Sequence, residues 1–142
     1  MTDDSESDPP ATGRLDQPTM QTIGRRAQSH PLADSWAFVP DGLSPRSLVL
    51  TFRPAVYPQS VATARIEIHW FVTGDYYFHY IEGWVETQYQ CRWDRHPKTD
   101  APRTHFHPPP DAGAATDSPL GEHPLAVLLA VLDWVNERIE QL

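Results

Sequence analysis

The sequence predicts an α+β domain, in which an antiparallel sheet of four to five strands carries a long C-terminal helix packed on one face. Two observations predict the sheet: apolar and polar residues alternate over the middle of the chain, and Gly74-Asp75 separates two of the alternating runs. A third predicts the helix, because apolar residues recur at helical spacing after Pro124. The length of 142 residues fits a single domain.

The strands follow from a period of two, which places successive side chains on opposite faces of a sheet. Gly74 supplies the positive φ that a two-residue hairpin turn needs at its first central position. Prolines 108–110 end the last run, since proline cannot donate to a central ladder. The predicted strands are residues 46–52, 65–73, 76–82, 85–93 and a short edge strand at 104–107.

The C-terminal helix is predicted from one apolar stripe and a suitable start. Pro124 lies in the first turn, where a missing amide costs nothing. Because the stripe must be covered, we expect it to pack on the apolar face of the sheet. The stripe consists of Leu125, Leu128, Leu129, Leu132, Val135 and Ile139.

The two ends of the chain differ in composition. Residues 1–30 are acidic and rich in proline, and they lack a regular apolar period, which predicts a disordered leader before a single domain at 31–142. No apolar run approaches the roughly 18 residues that cross a bilayer, and no signal peptide opens the chain. We therefore expect a soluble, cytoplasmic protein without a membrane partner.

Charge and cysteine content exclude several classes. The chain has 11 Lys plus Arg against 19 Asp plus Glu, a formal net charge of −8, which argues against a general nucleic-acid coat. Its single cysteine, Cys91, cannot form an internal disulfide or hold zinc alone. Polyanion contact must therefore be local.

One stretch reverses this charge. Residues 92–107 carry a formal charge of +2 and three histidines. On a strand, His105 and His107 project from the same face because they are two residues apart. Positive charge beside imidazoles is the pattern of a phosphodiester-directed site or a metal site. The candidate residues are Asp94, His96, His105 and His107, with Arg92, Arg95, Lys98 and Arg103 as phosphate ligands.

Two chemistries use the same imidazoles, and both stay open at this point. In metal-free RNA cleavage one histidine takes the 2′-hydroxyl proton, another protonates the leaving 5′-oxygen, and Arg or Lys stabilises the phosphorane, without any cofactor. In metal-dependent hydrolysis Asp94 or His96 completes a His-His-carboxylate set with His105 and His107.

A family resemblance runs through the same residues. The sequence contains Tyr-Tyr-Phe-His-Tyr at 76–80, Cys-Arg-Trp-Asp-Arg-His-Pro at 91–97 and Thr-His-Phe-His-Pro at 104–108, followed by an amphipathic helix. This order resembles the TumE family of toxins from prokaryotic toxin–antitoxin pairs. Residues 36–142 are similar to uncharacterised proteins of salt-loving archaea. The chain departs from the family pattern at Arg95, Lys98-Thr99 and Thr104.

The resemblance implies a toxin of a type II pair, with an antitoxin encoded nearby and RNA as substrate. It implies an endoribonuclease with His105 and His107 as acid and base, His96 in place of a lost imidazole, and Asp94 orienting a histidine. Two alternatives stand beside it: a metal-dependent hydrolase, and a non-catalytic protein-binding module, which a neighbouring gene other than an antitoxin and an absence of toxicity would favour.

Overall fold

A computed structural model describes residues 13–96 and 103–142 of the chain. In these residues, seven strands form one antiparallel sheet in sequence order, accompanied by two α-helices. The α+β class and the C-terminal helix are confirmed, whereas the predicted number of strands is wrong. The elements are α1 Gln17–Gln28, β1 Ala33–Val39, β2 Ser47–Phe52, a 3₁₀ turn at Pro54–Val56, β3 Val61–Trp70, β4 Tyr76–Trp84, β5 Gln88–Arg95, β6 Thr104–His107, β7 Thr116–Asp117 and α2 Pro124–Glu140.

The two strands beyond the expectation are the outermost ones. Strand β1 pairs with β2, and its exposed alternate residues and acidic Asp34 hide the apolar period on which the prediction depended. Strand β7 has only two residues, paired with β6, so it is too short to produce a period. Both strands are set by pairing with a neighbouring strand and not by their own composition.

The turn between β3 and β4 is longer than expected. Trp70 pairs with Tyr76, so five residues, 71–75, connect the strands. Gly74 has a positive φ of 88°, as its place in the turn required, but the two-residue hairpin is wrong. Asp75 is only 1% exposed, which shows that this turn folds inward.

Both helices pack on the same face of the sheet, which we call the covered face. Helix α1 contacts β1, β2 and β3. In α2, the Trp134 ring lies against Tyr80 of β4, Trp93 of β5 and Phe106 of β6. The core between these layers includes, from the sheet, Leu48, Leu50, Ile66, Ile68, Phe78, Cys91 and Trp93.

The buried stripe of α2 is rotated slightly from the predicted one. Leu128, Leu132 and Val135 are fully buried, but Leu129 is 36% exposed. Val127 and Val131 take its place in the core. The rotation brings Arg138 toward the sheet, where it meets the buried Glu82.

Helix α1 corrects the predicted leader over residues 17–28. Met20, Ile23 and Ala27 are buried there at a spacing of three to four residues. Pro18 lies in the first turn and does not break the helix, and Asp16 caps it by accepting from the amide of Thr19. Gly24 does not break it either. Of the rest of that leader, residues 1–12 lie outside the described part.

Neither helix in the described residues is long and apolar enough to cross a membrane.

Glycine at position 24 is required by the packing of α1 on β1. A Cβ there would lie 2.5 Å from Cε3 of Trp36. We expect Gly24→Ala to destabilise the fold, although alanine is the better helix former by about 1 kcal/mol. In a Trp36→Ala background the same change should stabilise it. Urea unfolding of the four variants measures this reversal of sign, and a stabilising Gly24→Ala in the wild type would contradict the packing.

A buried ion pair joins α2 to the covered face. Glu82 is 0% exposed and accepts two bonds of 2.9 Å from Arg138, one from Tyr80 (2.6 Å) and one from Trp84 (3.0 Å). Because the carboxylate is fully buried, its charge depends on Arg138. Burial, aided by Tyr57 and Glu82, keeps the pKa of Tyr80 far above its usual range, so this phenol stays a donor.

We expect Arg138→Met to lower the free energy of unfolding by roughly 3–5 kcal/mol, since it leaves Glu82 buried without its counter-charge. The matched control is Arg65→Met, which removes the arginine of a partly exposed pair with Glu67 at 3.1 Å and should cost at most about 1 kcal/mol. Chemical denaturation compares the two. Equal losses would show that the buried pair adds nothing specific.

Candidate functional site

The side chains of the candidate site lie on the face of the sheet opposite the helices, which we call the open face. Cross-strand register aligns them in two rows perpendicular to the strands. The first row runs through His69, Tyr77, Asp94, His105 and Asp117 on β3 to β7. The second runs through Glu67, His79, Arg92 and His107 on β3 to β6. Strand pairing thus brings the predicted residues of β5 and β6 together.

Asp94 is the centre of the cluster. Nε of Arg92 donates to both of its carboxylate oxygens, at 3.1 and 3.2 Å. Nε2 of His107 lies 3.0 Å from Oδ2 of the same carboxylate. Asp94 is only 3% exposed, so its charge is balanced by these side chains and not by water. We call Asp94, His105 and His107 with Arg92 the cluster.

The two ring nitrogens of His107 have different partners. Nδ1 lies 2.8 Å from the carbonyl oxygen of Gly113, which can only accept, so Nδ1 carries a proton. Nε2 faces the Asp94 carboxylate and also lies 3.1 Å from Nη2 of Arg92. Backbone contact therefore fixes the ring and directs Nε2 into the cluster.

The other two histidines lie around the same carboxylate at longer distances. Nδ1 of His105 is 4.0 Å and Nε2 of His96 is 3.8 Å from Oδ2 of Asp94. The two rings pack edge to face with centroids 4.7 Å apart. Both histidines are buried, at 2% and 8% exposure. All four residues named as catalytic from the sequence are thus brought together.

The electrostatics of Asp94 favour its ionised form. Burial by itself raises the pKa of a carboxyl group, but the hydrogen bond with His107 and the charge of Arg92 outweigh it, so the pKa of Asp94 lies below its usual range. Asp94 therefore remains an anion that attracts a proton or another cation to its surroundings.

The predicted phosphate ligands separate into different places. Arg92 is in the cluster, but Arg95 and Arg103 both approach Oδ1 of the buried Asp75, at 3.6 and 3.0 Å. Arg95 also donates to the Gly74 carbonyl. These two arginines thus tie the β3–β4 turn to the ends of β5 and β6. Lys98 lies outside the described residues.

The rest of the open face holds a hydrogen-bond chain that the sequence analysis missed. Nε2 of His79 is 2.7 Å from Oε1 of Gln90, and Nδ1 is 3.2 Å from the Tyr77 hydroxyl. Burial lowers the pKa of His79, although Gln90 opposes this, so the ring is neutral. The Arg92 guanidinium packs over the Tyr77 ring at 5.3 Å. Alternation placed Tyr77 and His79 on this face, but only the register puts Tyr77 beside Asp94.

Gly113 was also missed, and the sequence gives no signal for it. Its carbonyl reaches His107 because residues 108–113 fold back along β5, where Gln90 bonds to Pro110 and Ala112.

The described residues thus form an antiparallel α+β domain in which Asp, His and Arg side chains converge on the open face. The sequence model of the family Toxin TumE matches residues 23–139. The match covers more than half of the chain, so the chain belongs to the TumE toxin family, as its motifs indicated. No match was found among curated proteins or among solved structures.

Proposed function

We propose that this chain is the toxin of a type II toxin–antitoxin pair and that it cleaves RNA in the cytoplasm. The family supports the toxin, and a toxin needs a partner that neutralises it. The observation that carries the proposal of cleavage is the contact of 3.0 Å between Nε2 of His107 and Asp94, with Arg92 bonded to the same carboxylate. This is a proton-binding pair beside a fixed positive charge.

In the proposed mechanism His105 and His107 share the proton transfers. One imidazole takes the proton of the ribose 2′-hydroxyl, and the other protonates the departing 5′-oxygen, so that a 2′,3′-cyclic phosphate forms. Asp94 lies 3.0 Å from Nε2 of His107 and orients that ring for the transfer. His96 packs on His105 and helps to hold its ring.

Arg92 is the proposed phosphate ligand among the described arginines. Its side chain is 28% exposed, whereas that of Asp94 is 4% exposed, so a phosphate reaches the guanidinium first. Its planar fork suits two phosphate oxygens. Stabilising the charge of the phosphorane is the contribution that such a group makes to phosphoryl chemistry. Arg95 and Arg103 bind Asp75 instead, and we assign them to the support of the site.

Metal-dependent hydrolysis is a second candidate, because ligand atoms of Asp94, His105 and His107 all lie within 4.8 Å of one another. The substrate distinguishes the two mechanisms. Attack of the 2′-hydroxyl on the phosphorus leaves a cyclic phosphate and cannot occur on DNA. Hydrolysis by a metal-activated water requires no 2′-hydroxyl.

We expect induced expression of the wild type to arrest growth and to cleave RNA, and His107→Ala to abolish both, because the acid–base pair with Asp94 is lost. A drop in the cleavage rate of about 10²-fold or more is expected for the loss of one acid or base. The matched control is His79→Ala, on the same face and one strand from Arg92, which should retain toxicity. Growth curves and purified-protein assays on an RNA oligonucleotide and its all-deoxy counterpart provide the measurement.

The adjacent gene is then expressed together with the toxin, and rescue of growth identifies the antitoxin. Circular dichroism confirms that the variants are folded. Equal toxicity of wild type and His107→Ala would remove His107 from the mechanism. Folded, abundant wild-type protein that neither arrests growth nor cleaves RNA would favour the non-catalytic binding module. Cleavage of the all-deoxy strand would favour metal-dependent hydrolysis.

A further inference from the structure

We propose that Asp94, His105 and His107 form a binding site for one divalent transition-metal ion, and that Arg92 competes with the ion for it. One ligand atom from each of the three residues lies within 4.8 Å of the other two, and all three residues are buried. The inference does not rest on RNA cleavage, because it concerns the affinity of the cluster for a cation.

The distances are close to those of a metal centre. Zn²⁺ binds histidine nitrogen and carboxylate oxygen at about 2.0–2.2 Å, which places tetrahedral ligand atoms about 3.4 Å apart. Oδ2 of Asp94 is 3.0 Å from Nε2 of His107 and 4.0 Å from Nδ1 of His105. Side-chain movements of less than about 1 Å therefore suffice to enclose an ion.

His107 already has the orientation of a metal ligand. Its Nδ1–H donates to the Gly113 carbonyl at 2.8 Å, which is the second-sphere bond that fixes the tautomer of metal-binding histidines. In the neutral ring the lone pair of Nε2 then points at the Asp94 carboxylate, 3.0 Å away. Two lone pairs at this distance repel unless a cation screens them, and the Arg92 guanidinium, with Nη2 at 3.1 Å from Nε2, does so here. A metal ion between the two acceptors would replace it.

The ligand set determines the kind of ion. Two imidazoles with one carboxylate suit Zn²⁺, Co²⁺, Ni²⁺ or Fe²⁺, whereas Mg²⁺ and Ca²⁺ prefer oxygen ligands. Three protein ligands leave at least one coordination position open.

The Arg92 guanidinium occupies the place that the metal ion would take. Its Nε binds the carboxylate, and its Nη2 lies 3.1 Å from Nε2 of His107, where an ion would be. A guanidinium and a metal ion cannot share this place, since like charges at such distances repel strongly. The side chain is 28% exposed, so it can turn toward solvent when an ion enters. Removing Arg92 should therefore strengthen metal binding, while removing a ligand should weaken it.

The experiment titrates the full chain with Co²⁺ alone. The protein is purified without a histidine tag and is first treated with a chelator that is then removed. We expect binding of one Co²⁺ per chain with visible absorption bands. His107→Ala and His105→Ala should each weaken binding at least tenfold, and Arg92→Met should strengthen it about fivefold or more. The control, His79→Ala, should bind as the wild type does.

The wild type provides a measurement that does not depend on the folding of any variant. X-ray absorption of its Co²⁺ complex should show two imidazole ligands. Absence of one-to-one binding, a complex without imidazole, or weaker binding in folded Arg92→Met would overturn the proposal. None of these readouts involves RNA, so a failure of metal binding is distinguishable from a failure of the proposed cleavage.

Discussion

The site depends on one constraint: the buried Asp94 carboxylate must be surrounded by groups that compensate its charge. An ionised carboxylate with 3% exposure is unstable unless cations or donors surround it. The sheet supplies them by register: His105 is directly opposite on β6, Arg92 precedes Asp94 by two residues on β5, and His107 is diagonal. The arrangement of side chains on this face follows from the way in which that negative charge is neutralised.

A second buried carboxylate shows why the two faces differ. Glu82, on the covered face, receives four hydrogen bonds from Arg138, Tyr80 and Trp84. None of these donors releases a proton near neutral pH, so the Glu82–Arg138 ion pair holds α2 on the sheet throughout that range. Around Asp94, by contrast, two of the partners are imidazoles, and an imidazole nitrogen is able either to donate or to accept a proton. A buried carboxylate is thus neutralised by Arg138 and two neutral donors on the covered face, and by Arg92 and imidazoles on the open face.

Sequence reasoning succeeded where one residue type or one period decides the outcome, and it failed where distant segments meet. The period of two located His105 and His107 on one face, and the helical period located α2. Helix α1 was missed because Pro18 and Gly24 resemble helix breakers. In the structure Pro18 occupies a first turn, and Gly24 makes room for the Trp36 ring. Neither fact can be known before the packing is known.

The basic stretch illustrates the same limit for the site. Its net charge predicted a patch of cooperating cations, but charge summed along a chain ignores which face each residue occupies. Arg92 and Arg95 are three positions apart on one strand, so they project from opposite faces. Arg95 pairs with Asp75 instead. Asp75 lies in the β3–β4 turn, and the sequence did not reveal that this turn folds inward.

The site lies at the edge of the sheet that has the shortest strands. His105 and His107 lie on a strand of four residues, supported on its outer side by a strand of two. A slip of one residue would turn both rings to the other face. The pairing of Asp94 with His105 sets the register of β6 on β5, and on the outer side Thr104 donates to Ser118 and Thr116 donates to Phe106. Since Asp94 gains its counter-charges only in this register, the cluster and the edge strands stabilise each other. Opening of this edge would separate the histidines from Asp94 while leaving the core beneath the helices intact.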